Sequence, residues 1–453
     1  MTDPWQPGIV HAALSHVGMR RANNQDAFAV SVAKSGERFH ERGHLFVVAD
    51  GMGAHAAGEL ASQIASERIP MHYFSCSHDD PELAITDAVH VANEAIFERG
   101  RSNPEFHNMG TTASTLLLLP GFAYVAHVGD SRVYRLREQK LEQLTFDHSL
   151  VWEMQASGQV HSDSPLGKSI PKNVITRSLG PSTDVVVDLE GPLTTRPGDR
   201  YLLCSDGLTG QVDDGELGVL MHCLPPELMV QVLVDLTNLR GGPDNTTILA
   251  IEISDDTITA VPPELAARRR RRSGNTPSRA LLFTMGFCWL GAIGFGLVAA
   301  MGNPKFTGSA VVAFILGAIA GAVWAIRFWR PRSRRGSASS LSVQTTGSRR
   351  SGSAPARSWA HGHGPYRQFD ATPSLDVHDQ LWSMIDELRQ TSERKHWMLD
   401  WKEVDALQQR AEEAKTKKRL DAAIVLQAEA FAAAMQQLRK HEDDSASDTA
   451  VDL

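Results

Sequence analysis

The chain has 453 residues, too many for one hydrophobic core, so two or more folded units joined by linkers are expected. Apolar (42%) and charged (22%) fractions are those of a globular protein, and a net charge of −8 argues against nucleic acid as a general partner. The four scattered cysteines, Cys76, Cys204, Cys223 and Cys288, make neither a C-x-x-C pair nor a disulfide framework, which points to a reducing, cytosolic setting for the soluble parts.

In chain order, "MTDPWQPGIV" has no basic region ahead of an apolar core, so it does not read as a secretory signal. Residues 8–254 alternate short apolar strands with helical stretches. Strands are predicted at Leu45–Ala49, Thr112–Leu119, Phe122–Val128, Arg132–Leu136, Arg200–Cys204 and Thr247–Ile253. Helices are predicted at Gly58–His72, Pro81–Glu98 and Pro226–Thr237, each with apolar residues three and four apart. The strands cluster as sequence neighbours, which favours antiparallel pairing in an α+β domain over a doubly wound parallel sheet.

Residues 255–279 form a linker containing "RRRRR" (Arg268 to Arg272). The uncharged runs 281–301 and 309–326 are each long enough to cross a hydrocarbon core. They are joined by "GNPKFTG", and arginine clusters flank both, so a two-helix transmembrane hairpin with both flanks cytoplasmic is expected. The alternative is a buried hairpin of core helices. Ala292, Gly296 and Ala300, and likewise Gly317 and Gly321, make small-residue faces suited to self-association. Residues 328–374 are rich in Ser, Gly and Arg and read as a disordered linker. Beyond it, 375–441 has helical periodicity, with Leu420, Ile424, Ala428, Phe431 and Met435 on one stripe, expected to pack a small all-α bundle. An acidic disordered tail, 442–453, closes the chain.

Four carboxylates stand at strand ends beside glycine or a small residue: Asp50 after "FVVA", Asp130 in "AHVGDS", Asp206 in "YLLCSDG" and Asp244 in "GGPDNTT". One Asp-Gly after a strand is an ordinary turn signal. Repetition suggests convergence on one sheet edge. Clustered carboxylates repel unless a cation lies between them, and all-oxygen ligands select Mg²⁺ or Mn²⁺ over zinc. Two such ions about 4 Å apart activate a bridging water for phosphoester hydrolysis. In "GMRRANNQD", an arginine offers the planar fork that suits a phosphate dianion. A nucleotide-binding loop is set aside, because "SDSPLGKS" lacks the first glycine of the phosphate-cradling motif.

The ordered set "RANNQD", "VVADGMGAHAAGE", "MGTTASTLL", "AHVGDSRVYRL", "LTFDHSLV", "ITRSLG", "YLLCSDGL" and "GGPDNTT", spanning 8–254, resembles the bacterial metal-dependent (PPM, type 2C) protein serine/threonine phosphatases. The resemblance implies an antiparallel β-sandwich flanked by helices, with two Mn²⁺ or Mg²⁺ ions at one end. It implies that Asp50 bridges both ions, the Gly51 carbonyl, Asp206 and Asp244 complete the ligands, and Arg21 grips the phosphoryl group. Gln25 and Asp26 would act through water, and Asp147 to Arg177 would form the family's flap. Two departures stand out: Gln25 replaces a usual Glu, and Gly210 replaces a second Asp four residues after Asp206, which weakens the third ion site that Asp130 would share and leaves Asp130 serving structure more than catalysis. His55 is offset from the histidine that eukaryotic members carry after their Asp-Gly, and is read as stabilising its loop.

The expected function is a membrane-anchored protein phosphatase in the bacterial inner membrane, its phosphatase domain and tail cytoplasmic. Its expected partners are the lipid bilayer and phosphorylated proteins, serine/threonine kinases and their substrates among them. The alternative is a weakly active scaffold that recruits phosphoproteins to the membrane.

Overall fold

In the computed structural model, the structure describes residues 5–53, 56–160, 164, 170–171, 174–260, 359–361 and 364–451. Strands β1 (Ile9–His16), β2 (Asp26–Ser31), β3 (His44–Met52), β4 (Gly110–Thr111), β5 (Ala113–Leu119), β6 (Phe122–Val128) and β7 (Arg132–Arg137) lie in the first third of the chain. They are followed by β8 (Lys140–Gln143), β9 (Val187–Thr194), β10 (Arg200–Cys204), β11 (Thr246–Ile253), β12 (Trp359–His361) and β13 (Arg367–Asp370). One sheet runs β1-β11-β10-β7-β8-β13 and the other β12-β9-β6-β5-β3-β2, with β4 paired to β3. Every pairing is antiparallel except that of β12 with β9.

The helices are α1 (Gly36–Arg42), α2 (Ala57–Ser75), α3 (Pro81–Ser102), α4 (Leu150–Ala156), α5 (Asp206–Thr209), α6 (Asp214–Cys223), α7 (Pro226–Leu239), α8 (Leu375–Lys395), α9 (Lys402–Thr416) and α10 (Leu420–Val451). The central strands are covered on both faces, which is why they read as continuous apolar runs. In β3, Phe46 and Val48 pack between the sheets with Leu116, Leu203 and Leu249. Leu45, Val47 and Ala49 point the other way, onto Ala61, Ala65, Ile85 and Ala88 of α2 and α3. On the second sheet, Leu202 and Ile248 face outward to Leu217, Leu220 and Val232 of α6 and α7. The result is helix, sheet, sheet and helix, stacked as layers.

The C-terminal helices do not form a bundle of their own. Val377 and Leu381 of α8, Val404 of α9, and Ile424, Ala428 and Phe431 of α10 enter the same core as α6, α7 and the outer face of the sheet. Arg439 of α10 also pairs with Asp235 of α7 at 2.6 Å. The described residues up to 260 and from 359 onward accordingly belong to one compact unit. Within the span read as a disordered linker, β12 and β13 add strands to the edges of both sheets. At the acidic end, helix α10 continues to Val451 in place of a disordered tail. The predicted spans 281–301 and 309–326 lie outside the described residues, and so does His55. Among the described residues, no helix is long and apolar enough to cross a membrane.

A shared core makes a stability prediction. Phe431 is fully buried, and Phe431→Ala is expected to cost about 3–5 kcal/mol. Followed by urea denaturation, the loss should shift one common transition of helix and sheet signals. A separate early transition for the C-terminal helices, leaving the sheet unchanged, would overturn the shared core.

Candidate metal centre

Asp26 opens β2, and Asp50 lies near the end of β3 directly opposite it in the strand register. Like charges facing each other across a strand pair destabilise a sheet, so this pairing needs a compensating cation or proton. Asp130 follows β6, Asp206 begins α5 just beyond β10, and Asp244 sits two residues before β11. All five reach one end of the sandwich: the charges of Asp26, Asp206, Asp130 and Asp244 each act on Asp50.

Those charges shift the protonation of the cluster. Burial first, then repulsion by its four neighbours, pushes the Asp50 carboxyl well above the carboxylate range. Burial lifts Asp26 to about 7, against the hydrogen bonds from Ser205 and Thr247 and with repulsion from Asp206 and Asp244. Burial and Asp206 lift Asp130 to about 8. Asp206 is raised by burial and by Asp244, with a hydrogen bond to Asp50 and the charges of Arg132 and Arg21 acting in the other direction.

Four of the five carboxylates are turned to a protein partner. Ser205 Oγ donates to Asp26 Oδ2 at 2.8 Å, Asp50 and Asp206 share a hydrogen bond, and Arg21 Nη2 donates to Asp244 Oδ2 at 2.8 Å. So disposed, no three His, Cys, Asp or Glu side chains among the described residues close on an ion. The donor set nevertheless fits hard dications. Asp26 Oδ1 and Asp130 Oδ1 are buried without a hydrogen-bond partner, a costly state that a cation relieves. Four raised carboxyls in one place are what an oxygen-lined site becomes when only protons can neutralise it.

The scaffold around the cluster is rigid. The Asp50 amide donates to Thr112 Oγ1 at 2.9 Å, and its carbonyl accepts from Thr111 Oγ1 and the Thr112 amide, each at 2.9 Å. Gly51 lies where a Cβ would come within 2.1 Å of the Gly58 carbonyl oxygen, so only glycine lets the strand end meet the start of α2. The Gly51 amide donates to the Gln25 carbonyl at 3.1 Å, which fixes Gln25 beside the cluster.

Sequence reasoning missed the residue that ties these loops together. Buried Asn245 accepts from the Gln25 amide at 2.8 Å and donates to the carbonyls of Val17 and Asn23 at 2.8 and 3.0 Å, while its own amide donates to Asp244 Oδ1 at 2.9 Å. Its only sequence signal is its place directly after Asp244. Thr112 and Ser205 were missed likewise. Arg21, Gln25, Asp26, Asp50, Gly51, Asp130, Asp206 and Asp244 are thus all brought to one end of the fold. Gly210 caps α5, where a Cβ would meet only the Asp206 carbonyl, at 3.2 Å; no carboxylate stands there to accompany Asp130.

Comparison with known proteins finds relatives of this chain. The family profile "Protein phosphatase 2C" matches residues 15–224. Protein phosphatase PhpP of Streptococcus pneumoniae is 32% identical over 248 residues, 54% of this chain and 97% of PhpP. Serine/threonine protein phosphatase PstP of Mycobacterium tuberculosis is 34% identical over 264 residues, 56% of this chain and 47% of PstP. A crystal structure of the PstP catalytic domain in complex with two manganese ions has 31% identity and a TM-score of 0.47, covering 55% of this chain and 99% of that one. The chain belongs to the protein phosphatase 2C family, the metal-dependent protein serine/threonine phosphatases.

Proposed function

We propose that this chain is a membrane-anchored phosphatase that hydrolyses phosphoserine and phosphothreonine on proteins at a dinuclear Mn²⁺ or Mg²⁺ centre. The observation that carries the reading is the meeting of five buried or half-buried aspartates at one sheet end, two of them with partnerless buried oxygens. Asp50 would serve both ions, the Gly51 carbonyl would be a further ligand, and Asp206 and Asp244 would hold one of the two. When bound, the ions supply Lewis-acid activation of water and neutralise charge on the phosphoryl group.

The chain's own side chains do the rest. Gln25 and Asp26 would hold water beside the metal ligands, with Asp26 itself held by Ser205. Arg21 binds the phosphoryl oxygens. It is half-exposed on Asp244, and an exposed pair of this kind is worth only about 0–1 kcal/mol. A phosphate dianion can therefore draw the guanidinium off Asp244 at small cost.

The two uncharged runs and their arginine-rich flanks are what motivates the anchor, and by the positive-inside rule the catalytic unit and the C-terminal helices would both lie on the cytoplasmic side of a bacterial inner membrane. The bilayer, phosphorylated proteins including serine/threonine kinases, and further copies of the hairpin are the partners this reading names. Carbonate-washed membranes from cells expressing the full chain provide the test. They should release phosphate from a phosphothreonine peptide with Mn²⁺ and stop with EDTA, and Arg21→Ala should raise KM at least about tenfold. Membranes and soluble fraction both inactive would remove the enzyme reading and favour the scaffold; activity in the soluble fraction alone would remove the anchor.

A further inference from the structure

Helix α4 borders the carboxylate cluster. It begins two residues after His148, whose amide donates to the Gly129 carbonyl at 2.7 Å and whose Nδ1 accepts from the Gly129 amide at 2.9 Å, directly before Asp130, and the preceding Asp147 is gripped by Arg132 through Nη2 to Oδ2 at 2.7 Å. Within α4, only Trp152 is buried. Trp152 is therefore its one buried anchor, beside two hydrogen bonds from the following segment: the Leu150 amide donates to the Val174 carbonyl at 2.9 Å and Thr176 Oγ1 donates to Glu153 Oε1 at 2.6 Å.

Trp152 is held from two directions by guanidinium groups. Arg132 lies 5.6 Å from the ring centroid and Arg367, from the far end of the chain, lies 3.8 Å from it. Arg367 also donates to Gln155 Oε1 in α4 at 3.3 Å. Two like charges across one indole would repel, and Asp147 and Asp214 offset them: Arg132 sits 3.5 Å from Asp214 as well. The carrier of Arg367 is firmly seated. Strand β13 pairs with β8, Tyr366 OH donates to Glu190 Oε1 at 2.6 Å, and the Gly364 amide donates to Glu190 Oε2 at 2.9 Å. Tyr366 also meets Phe146 edge-on at 5.5 Å, and Phe146 meets Trp152 at 5.4 Å.

We propose that Arg367 is a positioning residue: it fixes α4 beside the carboxylate centre through Trp152 and Gln155, and so sets how well the centre accepts a phosphorylated protein as opposed to a small phosphate ester. The inference rests on the phosphatase reading for its substrates, but not for the contact itself. A small aryl phosphate needs only the carboxylate cluster and Arg21. A folded phosphoprotein is large enough to reach α4 as well.

The test uses the full chain, with Arg367→Ala and Arg367→Lys. Hydrogen exchange of amides in 150–157 should speed at least about tenfold in Arg367→Ala, while α3 keeps its protection. The ratio of kcat/KM for a phosphothreonine protein to that for an aryl phosphate should change at least about fivefold. Arg367→Lys keeps the charge but loses the planar stack, and should behave as Arg367→Ala does. Exchange in 150–157 within twofold of the parent chain would overturn the proposal, as would both substrates changing by one common factor. A parent chain that turns over neither substrate would count against the phosphatase reading alone, since exchange still decides whether Arg367 holds α4.

Discussion

Asp50→Asn is expected to lower turnover of a phosphothreonine peptide at least about a thousandfold while leaving the fold intact. The side chain is nearly isosteric, and the backbone at this position is held from both sides by Thr111 and Thr112. The change therefore removes charge with little change of shape. What it removes is the carboxylate on which all four neighbouring aspartates act, and a neutral amide oxygen is a poor ligand for two hard dications. Calorimetry should show Mn²⁺ uptake reduced in parallel with turnover. In metal-free protein the sign reverses. The same substitution relieves repulsion among buried carboxyls, so metal-free Asp50→Asn should melt above metal-free parent at pH 8. Unaltered turnover in the variant would remove Asp50 from the centre, and a lower metal-free Tm would show that its charge is not the destabilising one.

The carboxylates were legible because an aspartate repeatedly interrupts an apolar run, and β3, β5, β6, β10 and β11 were legible because burial on both faces makes those runs continuous. β1 and β2 were not predicted. In "IVHAALSH" only Ile9 is buried, and "DAFAVS" has no buried residue at all. Strand β13, "RQFD", alternates half-buried with exposed residues inside a polar stretch; its pairing with β8, more than 220 residues earlier, is a tertiary event that local propensity cannot encode. The stripe of Leu420, Ile424, Ala428 and Phe431 was visible, but not what it packs against, since an amphipathic face states that it needs a partner and does not say which one. At the site, Asn245, Thr112 and Ser205 escaped notice for a related reason. They act through hydrogen bonds to backbone and to one another's loops, and no residue spacing records such bonds.

The metal-free protein should also lose stability as pH rises, opposite to the usual behaviour of acidic residues. Unfolded aspartates titrate near 4. Folded and without metal, burial lifts Asp26 to about 7 and Asp130 to about 8, and raises Asp50 and Asp206 as well. Between about pH 4 and pH 8 the folded state therefore binds more protons than the unfolded state. By linkage, the stability these groups contribute is fully present below about pH 4 and is lost as pH climbs through 7 to 8. Mn²⁺ needs those carboxylates deprotonated, so its binding strengthens over the same interval. The increase in Tm on adding Mn²⁺ should accordingly be small at pH 5 and largest at pH 8. With Mn²⁺ at about a hundred times its dissociation constant the stabilisation is about 2.7 kcal/mol, or roughly 3–4 °C for a unit of this size. Thermal melts in EDTA and in Mn²⁺ at pH 5, 6.5 and 8 test this. An increment independent of pH would mean that protons and metal do not compete for one cluster, and the aspartates would then be joined by something other than a shared ion site.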